Sequence, residues 1–292
     1  MIDPPELARH IDRTRRWQVA FRPSMGVRDL PNGWLCAEPN TDSGETASGT
    51  RNRVYWHAPT GPISVAEIAQ AAAGARELGL ASIFVWLAPW ACDAACERAL
   101  FDAGAVPVPD VRFIALARPA APIEPAPAPQ PAPATSLRIR RVHLDEAPAF
   151  FDHVRPWYWP TGADTALRQM QGGLIETYGA FDADTPVALG LLTPDVQTSD
   201  PLTPDAKWAY LGSALTRPDA RGRGAQRGLI AARVARAAEL GAAWCASEIN
   251  TTTETSLRNL RASGFTEVIE WRVFRWMLPA SHRAGDQPRP SA

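Results

Sequence analysis

The stretch that decides the fold runs from Trp208 to Gly241 and reads WAYLGSALTRPDARGRGAQRGLIAARVARAAELG. It begins with an apolar run typical of a strand and ends with a segment rich in alanine and arginine, which predicts a helix. Between them lie Gly222 and Gly224, which allow a tight turn whose successive N–H groups can point at one anion. The positive N-terminal end of the helix favours an anion at the same place. The stretch therefore predicts a site for the diphosphate of a nucleotide.

The composition is that of a soluble globular protein of about two domains. The chain has 292 residues, 46% of them hydrophobic, and its 30 lysines and arginines nearly balance its 31 aspartates and glutamates, which gives a net charge of -1. Because these charges balance, the protein has no net positive electrostatic potential to attract a phosphate backbone. We therefore do not expect a nucleic acid as the main partner. No secretory pattern opens the chain, and no apolar run approaches the roughly 18 residues of a membrane span. We therefore expect a cytoplasmic protein without a membrane partner, and the sequence does not indicate its oligomeric state.

The cysteines and histidines do not predict a metal centre. Cys92 and Cys96 share one face of a predicted helix, but no second pair with ligand spacing lies nearby, so packed thiols are favoured over zinc. The five histidines are scattered, and none lies in a metal-binding or nucleophile motif. We expect no metal cofactor.

A segment of alternating proline and alanine divides the chain. Residues 119–136 cannot enter a helix or a sheet and favour extended polyproline conformation, which predicts a linker. It separates a first domain, residues 1–118, from a second domain, residues 137–280. The polar residues 281–292 predict a disordered tail.

The two halves share an order of elements. Each contains an alanine-rich helix that ends in Glu-Leu-Gly, then a short buried strand, a second helix, a glycine and a terminal strand. The alanine-rich helices are predicted at Val65–Gly79 and Ile230–Gly241, and the strands after them at Ser82–Leu87 and Ala243–Ile249. This joint order favours a duplicated α/β unit. The first half has no counterpart of the glycine–arginine turn.

The second half has further predicted elements, which together imply a mixed sheet with helices on both sides. A hairpin is predicted around the turn Asp182–Pro186, whose Asp and Pro residues favour a chain reversal. The remaining elements are a strand at Leu137–Val142, helices at Ala147–Val154 and Asp164–Glu176, the hairpin strands Thr177–Phe181 and Val187–Thr193, and a strand at Trp208–Leu215.

Two nucleotide motifs fit the turn poorly. A Walker loop requires Gly-Lys-Ser/Thr, and neither the lysine nor the hydroxyl is present. A dinucleotide-binding turn is harder to dismiss, because Gly222-x-Gly224 is followed by Gly228 and Glu248 closes the next strand. However, that fingerprint places its first glycine almost at the end of the strand, whereas here Thr216–Arg221 intervenes, and too few βαβ units follow.

A third interpretation comes from resemblance. Residues Ala214–Gln226 resemble motif A of the GNAT superfamily of acyl-CoA-dependent N-acetyltransferases, whose signature is Arg/Gln-x-x-Gly-x-Gly/Ala. Arg221 and Gly224 match the signature, and Gln226 stands where Gly or Ala is usual. Farther on, Ser247–Asn250 and Ser256–Phe265 are similar to motif B, with an Asn and a closing Gly-Phe. The resemblance covers about residues 136–278.

The resemblance implies a fold and an activity. The expected fold class is α/β, with an α+β mixed sheet in two GNAT-like domains, each a mixed, mostly antiparallel sheet flanked by helices. The first domain would be degenerate, as in tandem members such as mycothiol synthase, and only the second would bind acyl-CoA strongly. The implied function is transfer of an acetyl group from acetyl-CoA to a primary amine of a small molecule or peptide by direct attack.

The resemblance also implies the binding residues. The strand around Leu215 and Thr216 would pair its main chain with the pantetheine arm, and one of its N–H groups would polarise the thioester carbonyl. The turn would hold the pyrophosphate, and two asparagines would contact the pantetheine arm. The cofactor-binding residues are thus Leu215, Thr216, Arg221, Gly222, Arg223, Gly224, Ala225, Gln226, Asn250 and Asn259.

The sequence indicates the general acid and the general base of the transfer less clearly than the binding residues. Glu248 ends a strand that faces the expected cleft, so it is the candidate base, although a surface carboxylate or ion-pair partner has the same pattern. Many family members have a tyrosine general acid at the position of Leu260. Ser256 is the nearest hydroxyl here, but its high pKa makes it a poor substitute, so the alternatives are protonation of the thiolate by water and slow or absent transfer. Since that tyrosine is missing, a non-catalytic module that binds acyl-CoA or a protein stays as the alternative. The aromatic residues in the expected acceptor region, which would form an acceptor pocket or core, are Trp157, Tyr158, Trp159 and Trp208.

Overall fold

The computed structural model describes residues 2–20, 22, 25–38, 52–57, 62–108, 112–120, 137–158, 160–194 and 208–278. The predicted linker from residue 121 onward, the predicted tail 281–292 and Trp159 lie outside these ranges. Within them, the helices are α1 (Pro4–Ala20), α2 (Val65–Glu77), α3 (Ala94–Asp102), α4 (Ala147–Val154), α5 (Pro160–Gln171), α6 (Ala225–Glu239) and α7 (Glu254–Ala262). The strands are β1 (Gly26–Leu30), β2 (Gly33–Ala37), β3 (Arg53–Trp56), β4 (Ser82–Leu87), β5 (Ala105–Pro107), β6 (Phe113–Pro119), β7 (Arg138–Val142), β8 (Glu176–Asp182), β9 (Thr185–Pro194), β10 (Trp208–Thr216), β11 (Trp244–Asn250) and β12 (Thr266–Met277).

The chain forms two compact units, each built from two separate segments. The large unit contains residues 1–23 and 113–270, and the small unit contains residues 24–112 and 271–292. The units therefore do not coincide with the sequence halves 1–118 and 137–280. The physical reason is that β6, from the first half, pairs along its whole length with β11, and that α1 packs against β10.

The same pairing moves the start of the linker. The prediction placed it at Pro119, but Pro119 belongs to β6 and pairs with Trp244. Ala120 continues this pairing, since its N–H donates to the carbonyl of Ala243 at 2.9 Å. Residues 119 and 120 are therefore part of the sheet of the large unit.

The sheet of the large unit has the strand order β7-β8-β9-β10-β11-β6. All neighbouring pairs are antiparallel except β10 and β11, which are parallel. A buried apolar cluster with α6 and α7 covers one face, and a second cluster with α4 and α5 covers the other. Helices on both faces of a mixed sheet agree with the predicted fold class.

The sheet of the small unit has the order β1-β2-β3-β4, followed by the part of β12 that begins at Trp271 and by β5. Its parallel pair is β3 with β4, and this pair is continuous from Arg53 opposite Phe84 to Trp56 opposite Leu87. Fully buried tryptophans at 34, 56, 86 and 276 fill its core.

Local corrections concern the ends of elements. The helix predicted at Asp164–Glu176 is α5, which begins earlier, with proline at its first position, and ends at Gln171. Gly172 and Gly173 stop it, and Glu176 already belongs to β8. Helix α1 and strand β1 were not predicted at all. No helix among the described residues is long and apolar enough to cross a membrane.

Candidate functional site

Strands β10 and β11 separate partway along their length. Their parallel pairing joins Trp208–Tyr210 to Trp244–Ala246, and no later pair is formed between them among the described residues. The Ser247 hydroxyl donates to the carbonyl of Leu211 at 2.8 Å, just beyond the last pair. The remaining part of β10 therefore turns one edge toward a wedge-shaped gap between the two strands, which we call the splay.

The register of β10 against β9 identifies a main-chain donor in the splay. Thr216 lies opposite Ala188, and the N–H of Arg217 donates to the carbonyl of Val187 at 2.9 Å. Because the hydrogen-bonding direction alternates along an antiparallel strand, the Thr216 N–H faces away from β9. It therefore points toward the splay. The resemblance implies a pantetheine arm at this strand, which stays a prediction.

The N-terminus of α6 follows β10 after one short 3-10 turn, Pro218–Ala220. Gly222 and Gly224 have φ angles of 77° and 80°, the left-handed region, and Gly224 is the N-cap. No side chain caps this helix, and its first turn holds no acidic residue. The first N–H groups of α6 therefore meet no carboxylate or hydroxyl of the protein in the described ranges, as an anion site requires.

Helix α2 of the small unit, which takes the corresponding place after a parallel strand, has the opposite arrangement. Its N-cap Ser64 accepts from the N–H of Glu67, and the Glu67 carboxylate accepts from the N–H of Ser64 at 2.9 Å. This capping box satisfies the donors with a carboxylate of the protein itself. The helix end is consequently already neutralised in the small unit.

Three arginines surround the N-terminus of α6. Arg217 donates to Asp219 at 2.6 Å and Arg223 donates to Asp182 at 2.6 Å, and these guanidinium groups hold the pKa of both carboxyls below its usual range. Arg221 is exposed and forms no ion pair within the described part of the chain. It is thus the arginine of this turn whose charge is not offset locally.

The structure brings three predicted residues into one hydrogen-bond chain. The Gln226 side chain donates Nε2 to the Ser256 hydroxyl at 2.9 Å and accepts from Asn259 Nδ2 at 2.7 Å. This chain ties the first turn of α6 to α7. Asn250 is not part of it, since its Oδ1 accepts from the N–H of Thr252 at 3.0 Å in the turn after β11.

Glu248 lies on the opposite face of the sheet from α6, beside α1. Its Oε2 accepts from Arg15 Nε at 2.9 Å, from Arg15 Nη2 at 2.5 Å and from the Tyr210 hydroxyl at 3.2 Å. The side chain is 4% exposed, and its Oε1 has no hydrogen-bond partner among the residues described. One carboxylate oxygen is therefore engaged, and the other is buried without a hydrogen-bond partner in the described ranges. The partners from α1 and β10 were not predicted.

The predicted aromatic region contributes one polar group near the splay. Tyr158, in the turn between α4 and α5, is 5% exposed, and the Ser213 side chain is close enough to its hydroxyl to affect its pKa. Burial raises the pKa of this phenol above its ordinary value. Trp208 is core instead, stacked between His10 and Trp244 with ring centroids 5.2 and 6.0 Å away.

Solved structures with a similar fold include GCN5-related N-acetyltransferases. The enzyme from Kribbella flavida has a TM-score of 0.59 and 16% identity over 93% of this chain and 97% of that one. The one from Sphaerobacter thermophilus has a TM-score of 0.55 and 17% identity over 94% and 92%. A tandem GNAT protein from the clavulanic acid biosynthesis pathway has a TM-score of 0.57 and 14% identity over 87% and 83%.

The chain has the GNAT fold. The similarity to a tandem GNAT protein over most of both chains confirms the prediction of two GNAT-like domains, each a mixed sheet flanked by helices. No family model matches the chain, and no curated protein matches it.

Proposed function

We propose that the large unit is an acyl-CoA-dependent N-acyltransferase that moves an acetyl group from acetyl-CoA to a primary amine of a small molecule or peptide. The observation that carries the proposal is an uncapped helix N-terminus without acidic residues, which follows, after one short turn, a strand that separates from its parallel neighbour. The N–H groups supply an anion site, and the splay supplies an unpaired strand edge for an amide-containing arm.

The residues at the turn fit a diphosphate. Two glycines with positive φ keep the main chain free of Cβ atoms on the side where phosphate oxygens would approach, and Arg221 adds a charge that no carboxylate offsets among the described residues. Gln226 is held by Ser256 and Asn259, so its side chain turns away along the helix surface and the N–H of the first turn carries the contact. This interaction is worth about 0.3–1 kcal/mol at an exposed helix end and up to about 2 kcal/mol at a partly buried one.

Among its described residues, the small unit has neither separated parallel strands nor an uncapped helix N-terminus after them. Its β3 and β4 pair through to Trp56 and Leu87, and the N-terminus of α2 is filled by Ser64 and Glu67. We therefore propose that it binds no acyl-CoA and that the site belongs to the large unit alone.

Acyl transfer by direct attack requires three contributions from the protein. A donor must stabilise the developing oxyanion, a base must take a proton from the amine, and an acid must protonate the departing thiolate. In the proposal, the Thr216 N–H is the donor and Glu248 Oε1 is the proton acceptor, because Oε2 is engaged by Arg15. The Ser256 hydroxyl, which accepts a hydrogen bond from Gln226, can donate a hydrogen bond to the departing thiolate, while the proton that leaves the amine for Glu248 reaches the thiolate through water.

The deciding experiment follows thiol release from acetyl-CoA with a panel of small amines, antibiotics and peptides. We expect release with at least one acceptor, and a turnover lowered by about 10²–10⁴ in Glu248→Gln, the range of general base catalysis. Unchanged turnover in this variant would remove Glu248 from the mechanism. Binding of CoA without thiol release from any acceptor would instead support the non-catalytic module.

A further inference from the structure

Strand β10 contains an irregularity at the point where it leaves β11. Its register against β9 shifts between Gly212 and Leu215. Within this bulge, Ser213 has a φ of 44°, a left-handed conformation that a residue with a Cβ keeps only when its surroundings enforce it. The bulge immediately precedes Thr216, so its shape determines the direction of the main-chain groups that face the splay.

Arg233 of α6 holds the bulge from one face of the sheet. Its side chain is 2% exposed, and its Nη1 donates to the carbonyls of Leu191 on β9 at 2.9 Å and of Gly212 on β10 at 3.1 Å. One guanidinium thus connects the two strands at the register shift. A β-carbon on Gly190 would lie 2.8 Å from its Cζ, so that glycine makes room for it.

A buried charge in this position destabilises the fold unless hydrogen bonds compensate for the lost hydration. No carboxylate bonds to the Arg233 guanidinium in the described ranges, and burial lowers its pKa to about 10, which still leaves it protonated at neutral pH. Carbonyl oxygens are therefore its compensation. A methionine would fill the same space without the penalty, so the hydrogen bonds to the strands are what the arginine adds.

Tyr158 holds the bulge from the other face. It belongs to the apolar cluster around α4 and α5, which also contacts Leu215, and the Ser213 side chain is close enough to its hydroxyl to affect its pKa. The Ser213 side chain thus lies next to a buried phenol, while the preceding carbonyl accepts a hydrogen bond from Arg233.

We infer that Arg233 and Tyr158 are positioning residues that fix the β10 bulge from opposite faces and thereby aim the Thr216 N–H into the splay. The inference rests on the proposed function only in assigning the catalytic use of that N–H. The fixing of the bulge itself is a property of the ligand-free chain.

The first test measures amide hydrogen exchange of residues 211–217 without ligand. We expect exchange at least tenfold faster in Arg233→Met and in Gly190→Ala, whose new Cβ displaces the guanidinium, and in Tyr158→Phe, which removes only the hydroxyl. Arg236→Met is the matched control, since Arg236 lies one turn farther along α6 and bonds Glu176 instead. Wild-type exchange in the first three variants, or equally fast exchange in the control, overturns the inference.

The second test separates positioning from binding. We expect the turnover of Arg233→Met and Tyr158→Phe to fall at least tenfold, while their Kd for CoA changes less than threefold because the turn at α6 is untouched. Arg233→Lys keeps the charge without the two-carbonyl contact and should behave like Arg233→Met. Wild-type turnover in Arg233→Lys overturns the positioning role. A wild-type chain that releases no thiol refutes the proposed function, and hydrogen exchange still decides the inference.

Discussion

At the scale of single residues, substitution of Gly222 can distinguish the effect of backbone strain on stability from an effect on CoA binding. Both Gly222 and Gly173 have positive φ, 77° and 72°, and an added Cβ would meet nothing within 4 Å at either position. Alanine at each should therefore cost about 1–2 kcal/mol of folding free energy through left-handed strain alone. Only Gly222→Ala should also weaken CoA binding, because its strain is relieved by moving the N–H groups of the turn.

The measurement pairs urea unfolding with calorimetry of CoA. Gly173→Ala, which lies in the turn after α5, is the control for the loss of stability. Equal CoA affinities in the two variants would contradict the assignment of the turn as the diphosphate site.

The sequence could reveal Gly222 and Gly224 but not Ser213 or Arg233. Glycine pairs before a helix indicate positive φ, since few other residues tolerate it. A serine carries no such signal, because its left-handed conformation is imposed by neighbours that are distant in sequence. Arg233 lies in an alanine-rich helix beside Arg227 and Arg236, which are only half-buried. Its burial depends on Gly190, 43 positions earlier, and no local pattern connects the two.

At the scale of elements, the contrast between α2 and α6 yields a charge-reversal prediction. Glu67, at the third helical position of α2, corresponds to Arg227 of α6. Arg227→Glu should give α6 its own anion. The free energy of unfolding should hold or rise by about 0.3–1 kcal/mol, while the Kd for CoA increases about tenfold or more.

Calorimetry at two salt concentrations checks this, since the loss of affinity should shrink at high salt. Glu67→Gln in α2 is the control, which should lower stability without affecting CoA binding. Unchanged affinity in Arg227→Glu would place the anion elsewhere.

Local sequence patterns predict most of the helices and strands, and the elements that they do not predict depend on distant contacts. Strand Ser82–Leu87 and helix Ala147–Val154 are predicted with their observed bounds, since their apolar residues and turn signals are continuous. Helix α1 was missed although Leu7, His10, Ile11 and Thr14 form one buried face, because histidine and threonine there do not indicate a core. No local sequence pattern indicates that β6 pairs with β11, since the partners of a strand are determined by the whole sheet.

At the scale of the whole molecule, His10 should make stability depend on pH. It is buried, and burial followed by the charge of Arg13 lowers its pKa from 6.5 to about 3. The folded protein therefore keeps His10 neutral while the unfolded chain binds a proton below pH 6.5. The free energy of unfolding is therefore unaffected by His10 above pH 6.5. It falls by up to about 1.4 kcal/mol per pH unit as the pH drops from 6.5 toward 3.

His10→Phe should remove this dependence, because phenylalanine keeps the stacking on Trp208, and neither His10 nitrogen has a hydrogen-bond partner among the described residues. Between pH 7.5 and 4.5, urea unfolding should show the wild type losing about 2–3 kcal/mol more than the variant. Exposed His153→Gln should follow the wild type. The same dependence of unfolding free energy on pH in the wild type and in His10→Phe would contradict the lowered pKa of His10.

The composition of the two units predicts that neither sequence half folds alone. A fragment of residues 137–292 lacks β6, so every residue of β11 loses its partner on that side, and it lacks α1, so Glu248 loses Arg15. An open sheet edge and a buried carboxylate without its cation are both destabilising. Residues 1–120 in turn lack β12, which pairs with β4 from Ser82 to Leu87.

We therefore expect each fragment to be unfolded by circular dichroism and to bind no CoA. Co-expression of residues 1–120 with 137–292 should restore a complex that binds CoA with nearly the affinity of the intact chain, because each fragment supplies the strand that the other lacks. A fragment 137–292 that unfolds cooperatively and binds CoA like the full chain would show that β6 and α1 are dispensable. That result would return the domain boundary to the proline-rich segment, where the sequence placed it.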